Sequence, residues 1–479
     1  MNAAEACILA LYYLVLGMLA VYSLHRLHLV RLRRRATRPM RVTADVAPPL
    51  TVQLPLYNEA NVAARLIDAV AAIDYRGAYD IQVLDDSTDA TTSIVAERIA
   101  HHAASGVRIT HIRRGSREGY KAGALAHGMR LSDAELFAVF DADFVPASDV
   151  LAKMVPYLAD ARVGMVQARW THLNRDESLL TRVQALFLDA HFAVESAARN
   201  LGGRFFNFNG TAGVWRRRAI EEAGGWSSST LTEDLDLSYR AQLAGWEFVF
   251  VNDVEVPAEL PAALSGFQDQ QHRWAKGSIQ TARKLLGEIV RSGHTREVKR
   301  EAVFHLTNNS AYLLSVILAM LIVPALLVRY RHGILWTFAI DFALFAASSG
   351  SVLLFYREGQ RWAGRPAPRW RELLAVLPVG VGMSVRNAVA VVEGAFERGG
   401  EFKRTPKTGS SGVRRPGARA KSSGRVRTEA LLESLLAMFF LGAMIAFAFE
   451  GHYGALPFLS LFVSGYGFFA ALSFRTSTT

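Results

Sequence analysis

Acidic residues gather where three short apolar runs give out. Residues 50–54 lead into Pro55-Leu56-Tyr57-Asn58-Glu59, residues 80–84 into Asp85-Asp86-Ser87-Thr88-Asp89, and residues 136–140 into Asp141-Ala142-Asp143. Carboxylates brought together repel one another unless a cation or a donor-rich ligand sits among them. Mg²⁺ commonly takes one or two carboxylates and completes its shell with substrate phosphates, and an Asp-x-Asp pair such as Asp141/Asp143 offers that. Singly, an acidic turn ahead of a helix is also an ordinary N-terminal cap. Together they point to a nucleoside-diphosphate site. No glycine-rich dinucleotide fingerprint follows the first run, which argues against a dehydrogenase.

Two later clusters add to this. Thr232-Glu233-Asp234 stands just before a helical run over 235–244. It reads as a helix start, with Thr230 or Thr232 as the cap and acids in the first turn. Gln270-Gln271-His272-Arg273-Trp274 falls in another helical stretch. There Gln270 shares a face with Arg273 and Trp274 through three- and four-residue spacing. The bland alternative is a solvated face with a half-buried tryptophan.

The elements that must position these groups alternate. Residues 50–54, 80–84, 107–112, 136–140 and 163–167 read as strands, with helical patterns over 60–72 and 91–104 between them. Strands separated by helices predict a βαβ, Rossmann-like parallel sheet. Such sheets bind ligands at the carboxyl ends of their strands, where the acidic turns stand.

Around this domain the composition changes. The chain has 479 residues, 51% hydrophobic and 20% charged, with a mean hydropathy of +0.15. That is a folded chain with a soluble part joined to a membrane part. Its single cysteine, Cys7, excludes an internal disulfide and a cysteine-ligated metal site. Residues 6–24 carry no charge and are long enough to span a bilayer, with arginines following rather than preceding them. This order predicts an uncleaved anchor with its N-terminus outside. Segments 306–328 and 333–356 form one further hairpin, and 431–449 and 455–474 another. Asp341 in the first hairpin should face protein or water rather than lipid.

Residues 373–392, interrupted by Pro378 and Gly380, precede a stretch to residue 428 rich in arginine and lysine. The positive-inside bias makes them an amphipathic helix on the cytoplasmic face, for five crossings in all. The division is therefore an anchor (1–24), a basic linker (25–47), a catalytic domain (48–304), a membrane hairpin (305–356), a cytoplasmic interfacial helix and basic loop (357–428) and a second hairpin with a tail (429–479). Membrane-flanking arginines and lysines account for the net charge of +11, so no nucleic-acid partner is needed. Ala- and Arg-rich usage points to a bacterial inner membrane with the catalytic domain cytoplasmic, a eukaryotic Golgi membrane being the alternative.

The order Asp-Asp, Asp-x-Asp, Thr-Glu-Asp, Gln-x-x-Arg-Trp, followed by membrane helices, resembles the membrane-embedded inverting glycosyltransferases of family 2. Within them Gln53-Leu54-Pro55-Leu56-Tyr57-Asn58-Glu59, Phe206-Asn207-Phe208-Asn209-Gly210-Thr211 and Gln271-His272-Arg273-Trp274-Ala275-Lys276-Gly277 resemble the cellulose-synthase-like A group, the glucomannan 4-β-mannosyltransferases and their bacterial relatives. The resemblance implies a GT-A (Rossmann-like) α/β domain beside an α-helical transmembrane domain. It implies a base-stacking Tyr57, a ribose-binding Glu59, and Asp85 or Asp86 reading the base or ribose. Lys121 would contact the diphosphate, and Asp141 and Asp143 would hold the donor with Mg²⁺ or Mn²⁺. Asp234 would be the general base, and Glu233, Gln270, Arg273 and Trp274 the platform for acceptor and diphosphate. Residues 402–409 resemble a gating loop of pattern Phe-x-Val-Thr-x-Lys, which adds Thr405 to the donor site, although Arg404 replaces the valine. A flexible basic linker is the other reading of that loop.

The reaction expected is transfer of a hexose from UDP-glucose or GDP-mannose into a β-linked polysaccharide. The alternative within the same chemistry is a single transfer to a membrane lipid such as diacylglycerol, ceramide or a polyprenyl phosphate. A different class, an inactive membrane scaffold, would gain nothing from clustered carboxylates.

Overall fold

In the computed structural model, residues 1–35, 46–400, 407, 409 and 424–478 are described. Helix α1 (Ala3–Arg35) comes first and continues as one helix through the arginines that follow the apolar stretch. The units β1 (Leu50–Leu56), α2 (Ala63–Ala71), β2 (Tyr79–Asp85), α3 (Thr91–Ala104), β3 (Ile109–Ile112), α4 (Tyr120–Arg130) and β4 (Leu136–Val139) then alternate as expected. Next come α5 (Val150–Met154), β5 (Val163–His172) and α6 (Leu179–Ala190), which passes through a π-helical stretch, His191–Ser196, into α7 (Ala197–Leu201). The domain closes with β6 (Gly213–Arg216), α8 (Arg217–Glu222), α9 (Glu233–Leu243), β7 (Glu247–Ala258) and α10 (Leu264–Arg291).

One seven-stranded sheet runs in the order β3-β2-β1-β4-β6-β5-β7. Strand β1 pairs in parallel with β2 (Leu50 opposite Tyr79) and with β4 (Leu50 opposite Leu136), while β6 is antiparallel to both neighbours. Leu50, Val52, Leu54 and Leu56 of β1 are buried against Leu66, Ile67 and Val70 of α2. A strand covered on both faces reads as a nearly continuous apolar run, which is why these strands were visible in the sequence. The successive units lie on one side of β1 and β4 on the other. The crevice between their carboxyl ends is the switch point at which such sheets bind ligands.

Helix α11 (Arg296–Thr307), with Thr295 accepting from Val298 N at 3.3 Å as its cap, leads to α12 (Ser310–Arg331) and α13 (Phe338–Trp362). After α14 (Trp370–Gly382) and α15 (Ser384–Phe396) come α16 (Gly424–Phe449) and α17 (Leu456–Thr478). Among the described residues five helical stretches, Ala3–Arg35, Ser310–Arg331, Leu335–Trp362, Thr428–Phe449 and Tyr453–Ser473, are long and apolar enough to cross a membrane. The chain is thus a multi-pass integral membrane protein. Asp341 is buried and meets Arg329 of α12, which also donates to Tyr13 Oη at 3.3 Å, so the acid faces protein.

The segment expected to form one interfacial helix is instead the α14–α15 pair, bent by 50° and qualifying as a broken span. Val376 and Val379 of α14 pack with Phe469 of α17, while Arg386 and Asn387 of α15 are buried. Val389, Val392 and Phe396 of α15 stay exposed, so the pair keeps an uncovered apolar face beside its packed one.

Candidate active site

The crevice at the ends of β1, β2 and β4 is a cleft open to solvent. Tyr57, Glu59, Asp86, Lys121, Asp141, Asp143, Glu233, Asp234, Gln270, Arg273 and Trp274 all line it. Groups more than 200 residues apart in sequence therefore share one space.

Asp85 and Asp86 part company. Strand alternation sends neighbouring side chains to opposite faces. Asp85 is turned inward, 1% exposed, and accepts from His111 Nε2 at 2.9 Å and Ser87 N at 2.9 Å. Burial opposes its charge, yet these hydrogen bonds hold its carboxyl below the ordinary range. Of the two, Asp86 lines the cleft wall and Asp85 does not. Asp86 is held by Arg114, whose Nε lies 2.9 Å from Oδ1. Thr405 lies outside the described residues.

Lys121 stands in the first turn of α4, its Nζ 2.5 Å from Asp141 Oδ1 and 2.8 Å from the carbonyl of Gly210. Burial works against its charge, but Asp141, Glu233 and Asp234 outweigh it and hold the ammonium pKa above its usual value. Asp143 Oδ2 accepts from Lys407 Nζ at 2.8 Å. Each half of the Asp-x-Asp pair thus meets a lysine. Among the described residues no group of three or more His, Cys, Asp or Glu could hold a metal. Two hard carboxylates on one wall still suit a divalent cation that takes its remaining ligands from phosphate and water.

Asp234 opens α9. Burial first, and then the charge of Glu233, push its carboxyl up to about 7, while Lys121 and Arg273 pull the other way. Its Oδ1 accepts from Leu235 N at 2.8 Å, so it caps its own helix, whereas neither Thr230 nor Thr232 does. Thr232 instead faces α10, where a Cβ on Gly277 would stand 2.5 Å from Thr232 Cγ2. Such close contact fixes Asp234 relative to Gln270, Arg273 and Trp274.

Backbone strain clusters here as well. The described non-glycine residues with positive φ are Asn58 (56°), Tyr120 (50°) and Ala212 (55°), each beside a wall segment. Such conformations cost roughly 1–3 kcal/mol apiece and persist where surrounding structure enforces them. Asn58, for example, is held by Ser87 Oγ accepting from its amide at 2.9 Å.

Several wall residues escaped the sequence reading. Arg117 lies over the Tyr57 ring at 3.4 Å from its centroid, in a basic stretch that charge patterning alone could not separate from its neighbours. Glu259, 2.7 Å from Arg65 Nη1, follows β7, a strand too irregular in pattern to place. Lys407 matches the final lysine of the gating-loop pattern, so its signal was present.

Residues 48–277 match the family model described as "Glycosyltransferase like family 2". Over these residues the chain is similar to family 2 glycosyltransferases. The chain is 43% identical to glucomannan 4-beta-mannosyltransferase 1 of Oryza sativa subsp. japonica over 58% of its own length and 55% of that protein. It is 42% identical to the probable glucomannan 4-beta-mannosyltransferase 15 of Arabidopsis thaliana, over 56% and 51%. The chain spans about half the length of the curated relatives it matches. Its fold is that of a mannosyltransferase from Pyrobaculum calidifontis, solved in complex with GDP-Man and Mn²⁺. The likeness has a TM-score of 0.55 at 22% identity and covers 81% of this chain and 99% of that one. The expected GT-A domain joined to apolar membrane helices is therefore the observed architecture.

Proposed function

We propose that the glycosyltransferase chain moves mannose, with inversion, from GDP-mannose to the end of a β-linked glycan at a membrane. The observation that carries this reading is Asp234, a carboxylate whose pKa of about 7 suits a base, set in one cleft with Lys121 and Arg273. The names of the relatives, glucomannan 4-beta-mannosyltransferases, support mannose as the sugar and a polysaccharide as the product.

A sugar hydroxyl is a weak nucleophile until a positioned group takes its proton during attack. Asp234 accepts that proton on the side of the anomeric carbon away from the diphosphate. Lys121 and Arg273 stabilise the charge that develops on the departing diphosphate. Attack by the acceptor itself, without a covalent sugar–enzyme intermediate, inverts the anomeric centre. Trp274 offers a flat apolar face to a pyranose and leaves its edges free for hydrogen bonds. Tyr57 and Glu59 lie at the nucleoside end with Asp86, and Gln270 and Glu233 beside the acceptor. Asp141 and Asp143 would hold Mg²⁺ or Mn²⁺. A divalent ion there would neutralise the diphosphate as the leaving group departs.

The deciding experiment supplies purified full-length chain with labelled GDP-mannose or UDP-glucose and a short manno-oligosaccharide. β-Mannosyl extension from GDP-mannose is the expected outcome. Transfer from UDP-glucose alone, or an α-linked product, overturns the reading.

A further inference from the structure

Helix α15 lies along α10 and grips it on both sides of the turn that carries Gln270, Arg273 and Trp274. On the upstream side Arg386 of α15, its side chain 9% exposed, donates to Asp269 Oδ1 and reaches Gln268 Oε1 at 3.4 Å. The same guanidinium donates to Glu429 Oε2 of α16 at 2.8 Å, and Gln268 Nε2 reaches Glu433 Oε1 of α16 at 3.4 Å. On the downstream side Glu393 of α15 takes Lys276 Nζ at 3.0 Å and lies 3.4 Å from His272 Nε2. Glu397, just past α15, also pairs with Lys276. At the downstream point the helices are in backbone contact, since a Cβ on Gly394 would stand 2.7 Å from the carbonyl of Lys276.

At 3.6 residues per turn, positions 268, 269, 272 and 276 centre about 140° around α10 from 270, 273 and 274, with Arg273 next to the held side. One face of the helix is held by α15 and α16 while the other lines the cleft. A single ion pair would leave α10 able to turn about it. Two pairs a full turn or more apart remove both sliding and rotation. Partly buried ion pairs contribute little net stability, and setting register is among their better-attested uses. Transfer chemistry is sensitive to register, because a displacement of about 1 Å can cost roughly 10²-fold in rate.

We propose that Arg386 and Glu393 are positioning residues that lock α10 against the membrane helices and so hold Gln270, Arg273 and Trp274 in the geometry the transfer needs. Neither residue touches the cleft. The proposal rests on reading that cleft as the transferase site.

The test uses the full-length chain in detergent, with Arg386→Met and Glu393→Gln made separately. The first readout is independent of any donor: hydrogen exchange should quicken in residues 266–278, while β1 and β4 keep wild-type rates. The second is kinetic, with GDP-mannose, Mn²⁺ and a manno-oligosaccharide. Transfer kcat should fall about 10-fold, with KM for GDP-mannose little changed, as for an interaction made mainly in the transition state. Arg386→Lys, which keeps the charge, should recover part of the loss. Should Arg386→Met fail to fold, Asp269→Asn removes the same contact from a more exposed position. Unchanged exchange in 266–278, or exchange that rises throughout while kcat, KM and melting temperature shift together, overturns the proposal. Absence of any mannosyl transfer by wild type would overturn the donor reading instead, and the exchange result would still decide the clamp.

Discussion

At the scale of single residues, Asp234 carries conflicting demands. A base must be charged to accept a proton, yet burial and Glu233 favour its neutral form and push the carboxyl up to about 7. The rate of transfer should therefore climb as pH rises through about 7, which a pH profile of kcat/KM will display. Replacing Asp234 by Asn keeps the hydrogen bond from Leu235 but removes proton acceptance, so transfer should drop by ~10²-fold or more. Stability should move the other way. The folded pKa lies above the ordinary aspartate value of 3.8, so the stability tied to the neutral form is full below that value and lost as pH rises to about 7. Asp234→Asn should consequently raise the melting temperature more at pH 8 than at pH 5, and the reverse ranking would remove the assigned shift. Asp141 and Asp143 belong to a second prediction. Chelator should abolish transfer, Mn²⁺ or Mg²⁺ should restore it, and Ca²⁺, which prefers more ligands at longer distances, should do so poorly. Full transfer in excess chelator would end the metal role.

At the scale of elements, the site depends on how closely α10 approaches the start of α9. A methyl group on Gly277 would meet Thr232 at 2.5–2.9 Å, including its backbone nitrogen at 2.9 Å, so the helix would have to back away. Gly277→Ala should therefore lower transfer about 10-fold with donor binding largely kept, because the shift falls between base and platform. Equal turnover in the variant would show that this contact does not set the geometry. The same elements explain what the sequence disclosed. Strands β1, β2 and β4 are buried on both faces, so their apolar runs were plain, and the acids at their ends marked the crevice. Motif order brought in Asp234 and Arg273, which no local pattern could have joined to Asp141. Other features were not legible. Asp85 and Asp86 could be separated only by which face of the strand each takes. Glu259 depended on β7, where a register irregularity between Ala168 and Arg169 in its pairing with β5 breaks the alternation. The bend between α14 and α15 left no signal beyond Pro378 and Gly380, since tertiary packing on α10 and α17 decides how that segment folds.

At the scale of the whole molecule, the positive-inside bias predicts that the N-terminus lies outside and residues 48–304 in the cytoplasm. Cys7, exposed and the chain's one thiol, should react with a membrane-impermeant maleimide in intact cells, whereas Cys7→Ser carrying Ser105→Cys should not. The opposite pattern inverts the topology. The product follows from how the acceptor is kept. A polymerising enzyme must retain its glycan between additions, and the membrane helices are tied to the cleft through α10, which α15 and α16 both contact. Many weak contacts along such helices would hold a long chain better than a single lipid anchor would. Membranes supplied with labelled GDP-mannose should therefore accumulate a product that stays out of the organic phase and is cut by an endo-acting β-mannanase. Its length should grow with time at fixed enzyme. A label that partitions wholly into the organic phase, rises with added lipid acceptor and never exceeds one or two sugars would make this a single-transfer enzyme. That result would leave Asp234 as the base and remove the polymer.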